Sequence, residues 1–364
     1  RELPVLLQQV NHAIEKASVP PGERDELVTT LAKRHAELVR AEPNDGERPD
    51  VNTDTDLTGG EVQHAVTAGE GFDSPTQRSD GPVSHDLPAG NAVGMPSGTA
   101  PGLVGSPLLY PEQALLEQSI ARANRQIFDR QSSDRSMEGM GTTLVAAVFC
   151  DDRVHYAHVG DSRLYRFRAN VLEQLTCDHS LAQELIDKGY YTPEEAAEHV
   201  NRNIVTRGLG VEPSVVPDLA WADCEVGDLY LACSDGLTDM VEARQIEAIV
   251  GRYHAEPDAL VERLVRRANQ HGGHDNISVL IARVEKPFPL VKRWRLAKSL
   301  RGRVRFAGVS DTGRQRAHNE DSIAVAAELG AMVVADGMGG LKAGEVASAM
   351  AVHTLMDDLG EGLP

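Results

Sequence analysis

The run Ala331-Met332-Val333-Val334-Ala335-Asp336-Gly337 and its echo Leu229-Tyr230-Leu231-Ala232-Cys233-Ser234-Asp235-Gly236 decide the fold class of this chain. Each is an apolar run of strand length that delivers a carboxylate and then a glycine. A carboxylate at the end of a buried strand is costly unless a cation neutralises it, and the glycine lets backbone or ligand approach closely. Val159-Gly160-Asp161-Ser162, His274-Asp275-Asn276 and Asn319-Glu320-Asp321 set further acids beside strand-like runs. A single Asp-Gly is a common turn; its recurrence after two strands that read as fully buried is what points to a site. No His-x-x-His or Cys pair lies among these six carboxylates. They form a hard oxygen set that suits magnesium or manganese better than zinc.

Working outward, strand patterns recur at 142–149, 154–159, 164–167, 171–175, 228–233, 277–282, 306–309, 323–325 and 331–335. Helical patterns fall at 180–188, 192–200, 243–250, 258–270 and 344–359, with another after Pro111 whose stripe is Leu116, Ile120, Ala123 and Ile127. The mixture predicts an α+β fold, with too many short strands for a doubly wound sheet. Residues 1–40 carry helical periodicity broken at Pro20-Pro21-Gly22, which predicts a helical hairpin. From 41 to 108 the pattern vanishes into Pro, Gly, Ser, Thr and Asp, the composition of a flexible linker. Inside it, Asp50, Asn52, Asp54, Asp56 and Glu61 have calcium-loop spacing, but Thr55 stands where such a loop needs glycine, so a solvated acidic linker is the better reading.

The whole chain has 364 residues, 41% of them hydrophobic, and a formal charge of −19. A wholly disordered chain would carry fewer aliphatic residues, and no apolar run approaches a membrane span. The acidity argues against nucleic-acid partners. It is uneven: residues 41–90 hold 11 acidic and 2 basic side chains. The segment 286–305 is the reverse, with Lys286, Lys292, Arg293, Arg295, Lys298, Arg301, Arg303 and Arg305. With Trp294, residues 292–305 could touch an anionic membrane surface, though a solvated basic segment is the favoured reading. Cys150, Cys177, Cys224 and Cys233 show no metal or redox spacing and read as buried, reduced thiols of a cytoplasmic protein. The chain opens on Arg1 with no signal or transit pattern, so this residue reads as internal to a longer or rearranged message.

Several strings then agree on one family. Gly308-Val-Ser-Asp-Thr-Gly-Arg-Gln-Arg316-Ala-His-Asn319-Glu320-Asp321-Ser322, Val334-Ala-Asp336-Gly337-Met338-Gly-Gly340 and Gly344-Glu-Val-Ala-Ser348 resemble the opening motifs of the bacterial protein phosphatase 2C family, metal-dependent serine/threonine phosphatases. Gly141-Thr-Thr143, His158-Val-Gly-Asp161-Ser-Arg163, Asp178-His-Ser180, Cys233-Ser-Asp235-Gly236 and His274-Asp275-Asn276-Ile-Ser278 resemble its middle and closing motifs. The resemblance implies a four-layer α-β-β-α sandwich holding two manganese or magnesium ions, with a third weaker site. By motif position Asp336 bridges the ions, Gly337 offers its carbonyl, Asp235 and Asp275 complete one shell, and Glu320 acts through water. Asp161 joins Asp235 at the third ion, and Asp321 and Asn276 stand behind the ligands. Arg316 matches the phosphate-binding arginine, whose planar donors suit a phosphate dianion. The implied reaction is hydrolysis of phosphoserine and phosphothreonine in proteins by a metal-bridged hydroxide, opposing a bacterial serine/threonine kinase. Residues 181–207 match the family's substrate flap, where Arg202 and Arg207 would meet phosphopeptide charge. Met338 occupies the position where many eukaryotic relatives carry a histidine acid. His179 and His318 lie near the motifs but read as structural hydrogen bonders. An aspartyl-nucleophile phosphatase would need an Asp-x-Asp strand end, which is absent; a catalytically silent module of the same fold is the alternative.

The motifs come in exchanged order. The resemblance places 306–364 first and 109–285 second, so the phosphatase domain 109–364 reads as circularly permuted through the joining segment 286–305; an order set by how the chain was assembled or numbered, or two blocks complementing each other between neighbouring molecules, are the alternatives.

Overall fold

The computed structural model describes residues 62–64, 110–200, 204–288, 303–339 and 343–362. The hairpin expected at 1–40, the calcium-like loop and most of the joining segment lie outside these residues. Two six-strand stretches of antiparallel pairing face each other. One sheet has the order β1-β10-β9-β8-β5-β6, comprising Val62–His64, Val304–Asp311, Ile277–Val284, Leu229–Cys233, Arg163–Arg168 and Val171–Gln174. The other runs β11-β12-β3-β4-β7, comprising Asp321–Ala326, Ala331–Met338, Leu144–Cys150, Arg153–Val159 and Asp218–Asp223, with β2 (Gly141–Thr142) paired to the end of β12.

Period-two alternation sorts the side chains into layers. Met332 and Val334 of β12 enter the core between the sheets with Val145, Phe149, Tyr230, Leu280 and Phe306. Ala331, Val333 and Ala335 face the other way, against Leu116, Ile120 and Ile127 of α1 (Pro111–Ser133) and Ala347, Ala351 and Leu355 of α7 (Ala343–Gly362). On the opposite sheet, Leu229, Leu231, Ile277 and Val279 pack against α5 (Ala243–Tyr253) and α6 (Pro257–Gln270). The result is an α-β-β-α sandwich of the kind the family resemblance implies.

Two connections position the site. β9 and β10 pair in register from Val284↔Val304 to Ile277↔Asp311, and the N–H groups of Glu285 and Lys286 both donate to the Arg303 carbonyl, so the two ends of the basic segment leave adjacent antiparallel strands. α1 and α7 lie antiparallel: Arg122 pairs with Asp358 at 2.8 Å, the Thr354 hydroxyl donates to Gln126 at 2.6 Å, and Gly362 packs on Leu115. The end of α7 therefore meets the beginning of α1.

Three expectations change. The stretch 41–108 contains a short strand, β1, paired to β10. The edge strand β7 was not anticipated, because Asp218-Leu-Ala-Trp-Ala-Asp223 is polar at both ends and only half-covered. Cys177 is exposed and Cys150 only partly buried, while Cys224 and Cys233 are buried; all four are free thiols. Of the basic segment's described residues, Arg305 pairs with Asp258 and Arg303 donates to the Pro287 carbonyl. Among the described residues no helix is long and apolar enough to cross a membrane.

Phe149 is fully buried and meets Tyr230 and Phe306 edge-on at 5.1 and 6.0 Å. We expect Phe149→Ala to cost about 3–5 kcal/mol in denaturant unfolding, because it opens a cavity between the sheets; a loss below about 1 kcal/mol would contradict the layer assignment.

Candidate active site

β12 does not stop at Ala335, where the apolar run ends. It continues through Asp336 and Gly337 to Met338, leaving β3 after Val334 and pairing with β2 at Gly337↔Thr142. Thr143 fills the change of partner: its N–H donates to the Asp336 carbonyl at 2.8 Å and its hydroxyl accepts the Asp336 N–H at 3.3 Å. The same hydroxyl lies 2.7 Å from that of Ser162, which ties the Asp161-Ser162 turn to Asp336. Across the sheet, Asp321 of β11 stands opposite Asp336. From the facing sheet, Asp235 opens the single helical turn α4 (Asp235–Thr238) at the end of β8.

Glycine makes these approaches sterically feasible at two points. A Cβ on Gly236 would sit 2.0 Å from the Asn276 carbonyl oxygen, and one on Gly337 would sit 2.2 Å from that of Gly344. Asn276 then joins the two loops that carry the remaining acids. Its Nδ2 donates to the carbonyls of Thr312 and His318 at 3.0 and 2.9 Å, and its Oδ1 accepts the Glu320 N–H at 2.8 Å. Ser348, in the first turns of α7, donates to the Glu320 carbonyl at 2.6 Å.

Electrostatics show what this assembly lacks. Burial, reinforced by Asp178, pushes the Asp161 carboxyl up to about 7. Burial also raises Asp321 to about 6, despite the hydroxyls of Ser278 and Ser234, the latter donating at 2.8 Å. Asp235 and Asp336 lie well above the usual carboxylate range, because each is buried and faces several other acids. Glu320 is raised by burial, with Arg316 opposing. The Oδ1 atoms of Asp235 and Asp321 are buried without a hydrogen-bond partner. Orphaned oxygens within a like-charged cluster are what divalent cations satisfy, so the donor set fits hard ions. Arg316 is half-exposed and donates to Asp275 at 2.7 Å, beside the acids.

The expected site residues Asp336, Gly337, Asp235, Asp275, Glu320, Asp161, Asp321, Asn276 and Arg316 thus lie together. The flap expectation fares differently. Ser180 and Val205 bridge at its base, and Leu181, Leu185, Tyr191, Ala196, Val200 and Ile204 form a small core of their own. α2 (Leu181–Asp187) and α3 (Pro193–His199) cover a cavity of about 240 Å³ whose floor is Asp161, Asp235 and Asp239. Arg207 does not line it; its guanidinium donates to Asp218 at 2.7 Å and to the Val216 carbonyl. Arg202 lies outside the described residues. Asp239 escaped sequence reading, although its position four residues after Asp235 on one helical turn was the available signal.

Met338 packs its methyl toward Gly208, at the foot of the flap. His318 is exposed and contributes its carbonyl to Asn276. His179 is buried, and its Nδ1 accepts the Gly160 N–H at 3.0 Å, so the ring proton sits on Nε2, 3.4 Å from Asp218. The ring stacks on His158, whose Nε2 donates to the Cys177 carbonyl at 2.7 Å. His179 thus holds the Gly160 backbone, while the His318 side chain makes no hydrogen bond among the described residues.

The family described as protein phosphatase 2C matches residues 99–275. A serine/threonine phosphatase stp of Listeria monocytogenes is 40% identical over 166 residues, 46% of this chain and 66% of the relative. The solved Stp1 of Staphylococcus aureus is 34% identical, covering 49% of this chain and 71% of that one, with a TM-score of 0.46. The chain belongs to the protein phosphatase 2C family. A solved catalytic domain of PstP in complex with two manganese ions is 30% identical, covering 56% of this chain and 72% of that one, with a TM-score of 0.41. The chain spans just under two thirds of the first curated relatives' length, 66%. The stretch matching protein phosphatase 2C stops at Asp275, so Arg316, Glu320, Asp321, Asp336 and Gly337 lie beyond it.

Two outcomes test this site. The raised carboxyls bind protons more tightly folded than unfolded, where they sit near about 4. Metal-free protein should therefore lose thermal stability as pH rises from about 4 through 7, and manganese should abolish the loss. A melting temperature independent of pH in chelator would contradict the buried cluster. Asn276→Ala, which frees both loops, should cost about 1–3 kcal/mol and weaken manganese binding measured by calorimetry.

Proposed function

We propose that this protein hydrolyses phosphoserine and phosphothreonine in proteins, using two manganese or magnesium ions, and that it opposes a serine/threonine kinase in the cytoplasm. The observation that carries the reading is the meeting of Asp161, Asp235 and Asp275 with Glu320, Asp321 and Asp336 in one buried acidic cluster with two orphaned oxygens. Asp336 and the Gly337 carbonyl, with Asp235, Asp275 and, through water, Glu320, would hold the two ions. Asp161 with Asp235 would hold a weaker third. When bound, the ions supply Lewis acidity that lowers the pKa of water and screens phosphoryl charge.

The chain's own residues do the rest. Arg316, held beside the acids by Asp275, exchanges that carboxylate for two phosphate oxygens, which its planar fork matches. Asn276 and Thr143 keep Glu320 and Asp336 in place while phosphate charge enters. The flap's own small core lets it present a surface to a protein substrate without disturbing the sandwich. Met338 has no proton to give the leaving serine or threonine, so the donor is another group or water.

The exchanged motif order is proposed to be a circular permutation. Supporting it, β9 and β10 are adjacent antiparallel strands on either side of the joining segment, and Gly362 touches Leu115, four residues into α1. Compact domains with adjacent termini tolerate such rearrangement.

Turnover of a phosphothreonine peptide should require manganese. Asp336→Asn and Asp235→Asn should each lower kcat/KM by about 10²-fold or more. Arg316→Ala should lower it by about 10–100-fold, chiefly through KM. Full activity in Asp336→Asn, or a folded, manganese-binding protein without turnover, would overturn the assignment. A reordered chain running from 303 through 362 into 110–288 should keep its activity; inactivity of that folded chain would count against the permutation alone.

A further inference from the structure

We propose that Glu112, Cys150 and His155 form a separate zinc site at the end of the sheet remote from the acidic cluster. β3 begins at Leu144, next to the Thr143 that holds Asp336, and ends at Cys150. Six strand steps separate the two ends by about 20 Å. Alternation places Cys150 on the face of Ala146 and Val148, which pack against α1, and His155 on the face of Ala157, also under α1. Glu112 lies in the first turn of that helix.

One ligand atom from each of the three residues lies within 4.8 Å of the others. Bonds of about 2.0–2.3 Å to a tetrahedral zinc set ligand atoms about 3.3–3.7 Å apart, so closure asks for side-chain shifts of about 1 Å. Sulfur, nitrogen and oxygen together suit zinc and not the hard ions of the acidic cluster.

The second observation is the state of His155. It is 2% exposed, yet its Nδ1 has no hydrogen-bond partner, and its Nε2 stands 4.0 Å from the Glu112 carboxylate, beyond hydrogen-bond reach. A buried imidazole nitrogen left this way is costly, and an ion bound at the unpartnered Nδ1 would remove that cost. Burial also keeps the ring neutral, pushed down to about 4, so a lone pair is available at physiological pH. Among the described residues no lysine or arginine pairs with Glu112. Burial and the neighbouring Glu112 hold the Cys150 thiol well above its ordinary proton affinity, so the ion has to displace its proton.

Tyr110 closes one side, edge-on to His155 at 5.2 Å and to Trp221 at 5.7 Å, and Arg153 caps both aromatic rings. Glu112 keeps 15% exposure, leaving a way in and a fourth position for water. The neighbouring group His158, His179 and Asp218 has similar spacing but no lone pair at His179 Nε2, which carries the ring proton. Binding at Cys150 forms a sulfur–zinc bond, breaks the S–H bond and releases that proton to solvent, so affinity rises with pH. The ion would clip the beginning of α1 to β3 and β4.

Cobalt(II) titration of the full chain, stripped with chelator and then given excess manganese, separates this site from the carboxylates, because only a thiolate ligand yields sulfur-to-cobalt charge-transfer absorption. We expect one equivalent of such absorption, displaced by zinc. Cys150→Ser should abolish it, Cys177→Ser should leave it, and His155→Gln should weaken cobalt binding more than tenfold, with circular dichroism confirming folded chains. Absence of the band in folded protein, or its persistence in Cys150→Ser, would overturn the proposal.

Discussion

Repulsion among buried carboxylates is the constraint on which the rest of the structure depends. Asp161, Asp235, Asp321 and Asp336 are each held above their ordinary proton affinity by burial and by one another. A cluster of this kind is unstable in isolation, so the backbone around it must be held from outside. Thr143, Asn276 and Ser348 do this with hydrogen bonds to the backbone groups of Asp336, Glu320 and the adjoining loops. Gly236 and Gly337 do it by permitting contacts that any side chain would block. The apolar layers above and below supply the rigidity against which this strain is held.

The cluster draws on both sheets, which explains why the sandwich architecture and the chemistry are inseparable. Asp336 and Asp321 come from adjacent strands of one sheet; Asp235 and Asp275 come from the ends of β8 and the turn before β9 in the other. A shift of either sheet by one residue would exchange core and helix-facing side chains in every strand and carry the acids to the wrong face.

Much of this was legible from the sequence because the informative strands are central. The β8 and β12 runs are apolar on both faces, since one face meets helices and the other meets the opposite sheet, and the acid that ends such a run stands out. The same logic fails at the margins. β7 is half-covered, and its Asp218-Leu-Ala-Trp-Ala-Asp223 pattern resembles a loop. The continuation of β12 through Gly337 was hidden because its new partner, β2, is two residues long. Arg207 carried the right charge for a flap residue, but Asp218, a residue of the unseen strand, holds it. The role of Thr143 as a splice between strands depends on pairing that spacing alone does not reveal.

The hydrogen bond between Thr142 and Asp336 joins residues 194 apart in the chain. Until β12 has been synthesised, β3 has β4 on one side and an open ladder on the other. At about 5–20 residues per second, translation leaves that edge unsealed for some 10–40 seconds after β3 emerges. A hydrophobic edge exposed for so long is a template for mispairing with other nascent chains. The late arrival of its covering strand therefore opens a window for mispairing whose length is set by chain order and not by the stability of the finished fold.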